Sequence, residues 1–442
     1  MSDHGTRHAP SRDELASIAA RPTPPRARTA ATAAAGIGLI VFIVSLFVDA
    51  DRAWRAFHIN WLFFAAISSA GVTVAAVQRI ATARWSREVV RFIEGFVAFM
   101  PVAFVGLVLI LTVGRGHIFP WTHVSPVEAE KRFYLDPRFL VTRDLVAYAL
   151  LTALGLWFVY LSVRLDVGVV AEAGASWARG IRARMRAGFG DERRELHTTH
   201  SRQGVIAVFM VLLYGYLWSM MAFDLSMTLD LHFQSTLYGW WWFMTAWLGS
   251  LSAFGLLCLW WRKELHLEAL VEERHFHDIG KLCFAFTVFW GYLTFGQYLV
   301  MWYGNMAEEA HFWRLRLIPP WQVVTTLVIV LVFVLPFFGL LSRAAKVYLP
   351  TFVLFTFSSI IGIWLQRYGE VYPSLYHVAA GLPFGVAELG TLLLFLGVWG
   401  MCYFAFMDAF PKMRILLQTS PYRDEIQVPV DPRTMEPLPA TE

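Results

Sequence analysis

Apolar residues in this chain come in runs of about twenty, the length a helix needs to cross the hydrocarbon layer of a bilayer. Ten such runs stand out, at approximately 29–48, 58–78, 90–113, 140–163, 204–228, 237–261, 280–303, 320–342, 347–366 and 384–408, and the charges and prolines collect between them. No window sustains the apolar–polar alternation of a membrane β-strand, so the pattern predicts an all-α polytopic membrane protein rather than a barrel. Three parts follow: a polar, Arg- and Pro-containing tail over 1–28 that is expected to be disordered, a helical membrane domain over 29–410, and a C-terminal tail over 411–442. The N-terminal tail does not read as a signal peptide, because no apolar core begins soon after the start. The longest linker, RLDVGVVAEAGASWARGIRARMRAGFGDERRELHTTHSR, is rich in Arg and Ala and is expected to hold a surface helix.

The charges orient this pattern. Ten spans put the N-tail, the loops after spans 2, 4, 6 and 8, and the C-tail on one side of the membrane. That side holds roughly 27 Lys and Arg and the other roughly 10, together all 37. Both termini are therefore expected in the cytoplasm, and a miscounted span would have mixed the two totals. Composition agrees: the chain is 57% hydrophobic and 16% charged, against about 25% charged in a soluble domain. A net charge of +4 is too small to argue for nucleic acid. Cys258, Cys283 and Cys402 all fall in apolar runs and none forms CxxC, so they read as packing thiols rather than ligands of zinc or an iron–sulfur cluster.

Candidate chemistry begins with AFDLSMTLDLHFQST, Ala222 to Thr236, which follows the run VIAVFMVLLYGYLWSMM. A carboxylate inside a span is costly unless it has a partner or a wet cavity. Asp224 sits about one turn below the outer surface, whereas Asp230 and His232 fall at that surface, where water reaches them. On a helix Asp224 shares its face with Leu213, Leu217, Met220 and Thr228, which is a poor shell for an ionised acid. It needs a partner from another helix, and Asp144, Glu388, Arg367 and His377 lie at similar depth. Two readings stand side by side: a structural ion pair, or a proton-accepting group in the outer leaflet.

The inner side has its own set. Arg91 and Glu94 are three apart at the start of span 3, and Asp278 and Lys281 repeat that spacing at the start of span 7. Glu94 and Lys281 lie deeper and are candidates for proton uptake, the alternative being interfacial snorkelling. Along span 7, Thr287, Thr294, Gln297, Met301 and Asn305 share one face, at steps of seven, three, four and four. Such a polar stripe should face the bundle interior, as glue between helices or as part of a water wire. The thirteen histidines all fall in tails, loops or span ends, so a transmembrane haem with paired imidazoles is not expected. The long aromatic outer loops, RGHIFPWTHVSPVEAEKRFYLDPRFLVTRD and NMAEEAHFWRLRLIPPW, suggest an ordered docking surface.

Three of these segments, HDIGKLCFAFTVFWGYLTFGQYLVMWYGNMAEE, YLWSMMAFDLSMTLDLHFQSTLYGWWWF and EKRFYLDPRFLVTRD, resemble the ActF subunits of bacterial alternative complex III. These quinol:cytochrome c oxidoreductase subunits belong to the NrfD/polysulfide-reductase membrane-subunit superfamily. The resemblance runs from about residue 30 to 410. It implies ten helices, eight of them in two four-helix bundles, and no haem, cluster or metal held by this chain. It also implies a bacterial inner-membrane complex with a homologous quinol-oxidising subunit and periplasmic iron–sulfur and multihaem cytochrome c subunits. Quinone or menaquinone is the ligand that comes with it. Asp224 takes the place of the acid in the family's FD motif and His232 that of the histidine after it. This chain has DLHF where the family more often carries a proline before that histidine.

The expected function is thus a membrane subunit of a quinol oxidoreductase without a redox centre of its own. Asp224 and Glu388 would form the outer part of a proton path, with Glu94 and Lys281 the inner part and Thr287, Thr294 and Gln297 between. Asp144, Arg367, His232 and His377 are candidates for an outer or quinone site. Two other classes remain: a proton-coupled secondary transporter, for which matched broken helices are lacking, and a structural anchor for periplasmic redox proteins.

Overall fold

A computed structural model describes residues 11–83, 85–123, 129–170, 172–376 and 381–419. The described residues are helical and contain no strand. Ten helices are long and apolar enough to cross a membrane, and the protein is a multi-pass membrane protein. Span 1 is Pro25–Val48, span 2 Ala50–Ile80, span 3 Val90–Thr112, span 4 Pro137–Val169 and span 5 Glu192–Leu229. Span 6 is Leu237–Glu264, span 7 Glu273–Gly304, span 8 Trp321–Gly339, span 9 Leu349–Leu375 and span 10 Val386–Ala409.

Span 2 is the centre of the molecule, with its apolar stretch buried on every side. It touches spans 1, 3, 4, 5, 6, 9 and 10. The sequence allows this because Ala65, Ala66, Ser68, Ser69, Ala70 and Gly71 are small enough for neighbours to approach all round. Its polar atoms find partners in place of water: Trp364 Nε1 donates to Asn60 Oδ1 at 2.9 Å and Trp399 Nε1 to Ser68 Oγ at 3.0 Å. Contacts run from span 2 to 3, 4 and 5 and back to 2, and from span 6 to 7, 8 and 9 and back to 6.

Spans 1 and 10 pack backbone to backbone. A Cβ on Gly397 would lie 2.2 Å from the Ala35 nitrogen and 2.6 Å from the Ala31 oxygen, and one on Gly38 would lie 2.2 Å from the Leu394 nitrogen. Because backbone cannot give way, Gly397→Val should force the helices apart at about 1–3 kcal/mol. Its unfolding midpoint in detergent is expected several degrees below that of Gly36→Val, whose Cβ would meet nothing within 4 Å. Equal midpoints would contradict the close approach.

Two spans are irregular for identifiable reasons. In span 3 the helix tightens to 3-10 over Gly95–Phe99, ahead of Pro101, which has no N–H to give. In span 8 a π segment covers Ile329–Val334 just before Pro336, and Ser358 Oγ donates to the Leu331 oxygen at 3.2 Å.

The N-terminal segment corrects the expectation of disorder over 1–28. Residues Arg12–Ala19 form a helix capped by Ser11, with Leu15 and Ala19 fully buried. Arg12 makes two 2.8 Å bonds to Glu192, and the Thr23 nitrogen and hydroxyl bond Asp408 at 2.8 and 2.7 Å. A short polar segment that could not hold itself together is thus held by the ends of spans 5 and 10. Residues 1–10 lie outside the described residues. The expected surface helix in the linker is Arg179–Arg186, anchored where Arg182 Nη1 donates to the Ala409 oxygen at 2.8 Å. The N- and C-terminal segments meet on one face, the terminal face; the opposite end of the spans is the far face.

Candidate functional site

Among the described residues, four groups of buried charges bear on the sequence candidates, three on the far face and one on the terminal face; a further buried pair, Asp408 with Lys412 at 3.2 Å, ties the N-terminal segment to the end of span 10. The first far-face group is built on Asp224, which is fully buried. Arg143, from the first turns of span 4, holds it: Nε lies 3.0 Å and Nη2 2.7 Å from Asp224 Oδ2. Asp144 is also fully buried, and its neighbours are the Asp224 carboxyl and the Arg143 guanidinium. Neither Asp144 oxygen meets a hydrogen-bond donor among the described residues, nor does Asp224 Oδ1. Tyr134 closes the group, with its ring 4.1 Å from the Arg143 guanidinium and its phenol beside Asp224. Burial, and then the Asp224 charge, hold that phenol above its ordinary pKa.

Tyr134 is also a wall of a cavity of about 560 Å³ at the same end of the molecule. Phe223, Met227, Phe233 and Met301 supply apolar surface there, and Thr228, Ser235 and Gln297 supply polar atoms. Gln297 Nε2 donates to Ser235 Oγ at 3.0 Å, while its buried Oε1 has no partner among the described residues. A larger groove of about 1080 Å³ opens on the terminal face. Its walls carry charges such as Arg262, Glu268 and Arg343 and no member of the four buried groups, so of these two the smaller cavity is the one beside such a group.

The second far-face group centres on Glu370, which sequence reasoning missed. Arg367 Nη1 lies 2.8 and 2.7 Å from its two oxygens, and both side chains are about 1–2% exposed. Trp242 Nε1 at 2.9 Å, Gln366 Nε2 at 2.9 Å and Ser226 Oγ at 3.3 Å also donate to Glu370. Trp290 Nε1 donates to Gln366 Oε1 at 2.9 Å, extending the network to span 7. Arg316 ties the loop between spans 7 and 8 to it by donating 2.8 Å to the Glu370 backbone oxygen. This group is satisfied on every side, as a structural clasp must be. The signal in the sequence was the Arg-x-x-Glu spacing in QRYGE, the same i, i+3 pairing that holds for Arg91 and Glu94.

The third far-face group is Glu388, which accepts from Arg52 Nε at 2.8 Å and Nη2 at 2.7 Å, from Tyr372 at 2.8 Å and from the Gly385 nitrogen at 2.8 Å. Arg52 is 30% exposed, so this pair opens to the far surface.

On the terminal face Glu94 is fully buried and heavily paired. Arg91 Nη1 and Arg414 Nη2 each reach it at 2.7 Å, and Ser162 donates at 2.8 Å. Arg91 Nη2 lies 2.6 Å from Asp166 Oδ2. Asp166 Oδ1 in turn accepts from the Ile415 and Leu416 nitrogens at 2.8 and 3.2 Å. The segment after span 10, part of the expected C-terminal tail, therefore folds back and seals this group.

Several expectations need correction. Asp224 does not pair with Glu388 or Arg367; its neighbours are Asp144 and Arg143, the latter absent from the sequence candidates. Successive helix positions point about 100° apart, and the sequence does not say which of Arg143 and Asp144 turns inward; both do. Lys281 is 56% exposed and pairs locally with Asp278 at 2.7 Å, so it lies outside the Glu94 group. Thr287 is buried without a partner for its hydroxyl among the described residues, Thr294 accepts from Trp241 Nε1 at 2.8 Å, and Gln297 faces the cavity. Asn305 departs from the stripe, capping span 7 at φ +45°. His232 is exposed, and His377 lies outside the described residues. His58, expected at a span end, sits about two turns inside span 2, fully buried and bonded through Nε2 to the Leu225 oxygen at 2.7 Å. Among the described residues no three His, Cys, Asp or Glu side chains converge as a metal-ligand set. The three cysteines are free thiols.

Comparison of the sequence with protein-family models and with curated proteins finds no match.

Proposed function

We propose that this chain is a membrane subunit of a quinol:electron-acceptor oxidoreductase of the alternative complex III type, handling protons beside a quinol site and carrying no redox centre itself. The observation that carries this reading is the Asp144–Asp224–Arg143–Tyr134 group standing against an apolar cavity with a few convergent polar atoms. Such a cavity suits an amphipathic ring, with Gln297 Oε1 ready to accept from a hydroxyl. Oxidation of a quinol to a quinone releases two protons and two electrons. The electrons would pass to iron–sulfur and c-haem centres in partner subunits, and the protons need acceptors nearby. Two carboxyls facing one guanidinium provide one: the single positive charge balances one carboxylate, a proton on either acid relieves their repulsion, and gaining or losing it exchanges charge without moving the backbone. Tyr134, touching both cavity and Asp224, lies on the connecting line.

The finer topology belongs to the same proposal. The Lys/Arg excess supports a cytoplasmic terminal face; in a bacterial inner membrane the cavity would then lie on the periplasmic side, with the electron-accepting partners. The two closed circuits of contacts, spans 2–5 and 6–9, fit two four-helix bundles with spans 1 and 10 outside them. The inner half of the expected proton path is revised, because Lys281 stands apart and Glu94 is locked by two arginines.

The test is to tag the chain and solubilise it gently from its native membrane. The purified material is then assayed for quinol-dependent reduction of c-haem. Co-purifying haem and iron–sulfur subunits with inhibitor-sensitive activity are the expected result. A lone polytopic protein, from a preparation that keeps other complexes intact, would reject the proposal and favour a transporter.

A further inference from the structure

The terminal-face group contains an imbalance of charge. Three guanidiniums, Arg79, Arg91 and Arg414, stand with two carboxylates, Glu94 and Asp166. Glu94 is taken by Arg91 and Arg414, and Asp166 by Arg91 and two backbone nitrogens. Arg79 donates to the His200 backbone oxygen and meets no carboxylate among the described residues; its charged neighbour is Arg414. Two like charges thus face each other in a partly buried site, where water screens their repulsion less than at the surface. The Nε–H groups of both Arg79 and Arg414 are buried and lack an acceptor among the described residues.

Between them lies a small cavity of about 30 Å³, walled by Arg79, Ser162, Asp166, His200, Gln203 and Arg414. That is room for roughly one water-sized occupant, since a water needs at least about 10–15 Å³ of such space. The walls include both arginines whose Nε–H groups are orphaned, with Asp166 as the one carboxylate and its oxygens already bonded. Other charges do not reverse this, because the neighbours of His200 are Arg79, Arg414, Arg87 and His197. A neutral water could accept from the two N–H groups but would leave the net positive charge in place. A small anion would accept from both and neutralise it.

We propose that this cavity is a binding site for a single small monovalent anion of the halide class, chloride in ordinary solutions. The anion joins the C-terminal segment, through Arg414, to the ends of spans 2 and 5. This site lies on the face opposite the quinol cavity and rests on no part of the functional proposal.

The experiment compares thermal unfolding of the detergent-solubilised full chain in sodium chloride and in sodium gluconate, both at about 0.15 M ionic strength. Chloride is expected to raise the midpoint by roughly 3–5 °C, the size expected for a ligand in about hundredfold excess over its Kd in a chain of this length. Arg79→Gln should abolish that difference. Bromide should give an anomalous diffraction peak within hydrogen-bonding distance of the Arg79 and Arg414 Nε atoms, a readout that stands even where the variant does not fold. Identical wild-type midpoints in the two salts would overturn the proposal, as would a full chloride effect in Arg79→Gln. A chain ending at Thr419 separates a free anion from a carboxylate of residues 420–442, which include Asp424 and Glu425. A chloride effect present in the full chain supports the free anion. One that emerges after truncation alone would assign the site to that carboxylate and reject the anion.

Discussion

Replacing Glu370 by alanine is expected to destabilise the protein by about 3–5 kcal/mol, the cost of removing one partner from a buried ion pair. Arg367 is 1% exposed and has Glu370 as its carboxylate among the described residues. The substitution also takes the acceptor from Trp242 Nε1, Gln366 Nε2 and Ser226 Oγ, three donors drawn from spans 5, 6 and 9. Glu370→Gln keeps one acceptor oxygen in place and should lose less. The double variant Arg367→Met, Glu370→Leu should recover part of the loss, because it leaves no charge stranded. Thermal unfolding in detergent measures all three. A Glu370→Ala chain that melts with the wild type would show that water reaches Arg367 and that the clasp is not closed.

If the proposed quinol chemistry holds, Asp224→Asn is expected to leave the fold nearly intact and to lower quinol turnover of the purified material by about 10²-fold, the low end for losing a positioned proton acceptor. Stability should survive because asparagine fills the same space and Arg143 still has the Asp144 carboxyl beside it. Asp144→Asn should behave alike, since the two acids act as a pair, and the double variant should be little worse than either single one. Glu94→Gln provides the contrast. Its carboxylate is held by two arginines and a serine, so its loss should lower the melting point more than the turnover of whatever remains folded. Full turnover in both aspartate variants would remove the proton role from this group. Equal damage to stability and turnover would make it a structural pair.

The spans were legible because a run of twenty apolar residues has little place outside a bilayer, and the boundaries erred where amphipathic turns extend a helix past its apolar core. Span 5 begins at Glu192, twelve residues before its apolar run, and span 2 begins eight residues early, which moved His58 and Arg52 into the helix. Pairings within one helix turn could be read from spacing, as for Arg91 with Glu94 and Asp278 with Lys281. Pairings between helices could not. Nothing in the mixed stretch PKMRILLQ announces that Arg414 returns to a carboxylate at position 94, a contact spanning 320 residues. Depth alone offered Glu388 and Arg367 to Asp224, but each already has a partner, Arg52 and Glu370, that fills its valences.

The burial of span 2 bears on how the protein is made. In a growing chain this helix enters the bilayer with Asn60, Ser68 and Ser69 facing lipid, since Trp364 and Trp399 are still hundreds of residues from synthesis. Hydrocarbon offers those side chains no partner, so Ser69 and Asn60 bond their own helix, as they do at 2.9 Å to the Ala65 and Ala56 oxygens, while Asn60 Oδ1 and Ser68 Oγ must wait. Span 1 waits too, because the glycine-lined surface of span 10 is the face against which it fits. The order of synthesis therefore runs opposite to the order of closure: the second helix to be inserted is among the last to be finished. A ribosome pausing before residue 386 would leave behind an open bundle with its central helix unsheltered, the form in which quality-control proteases would meet this protein.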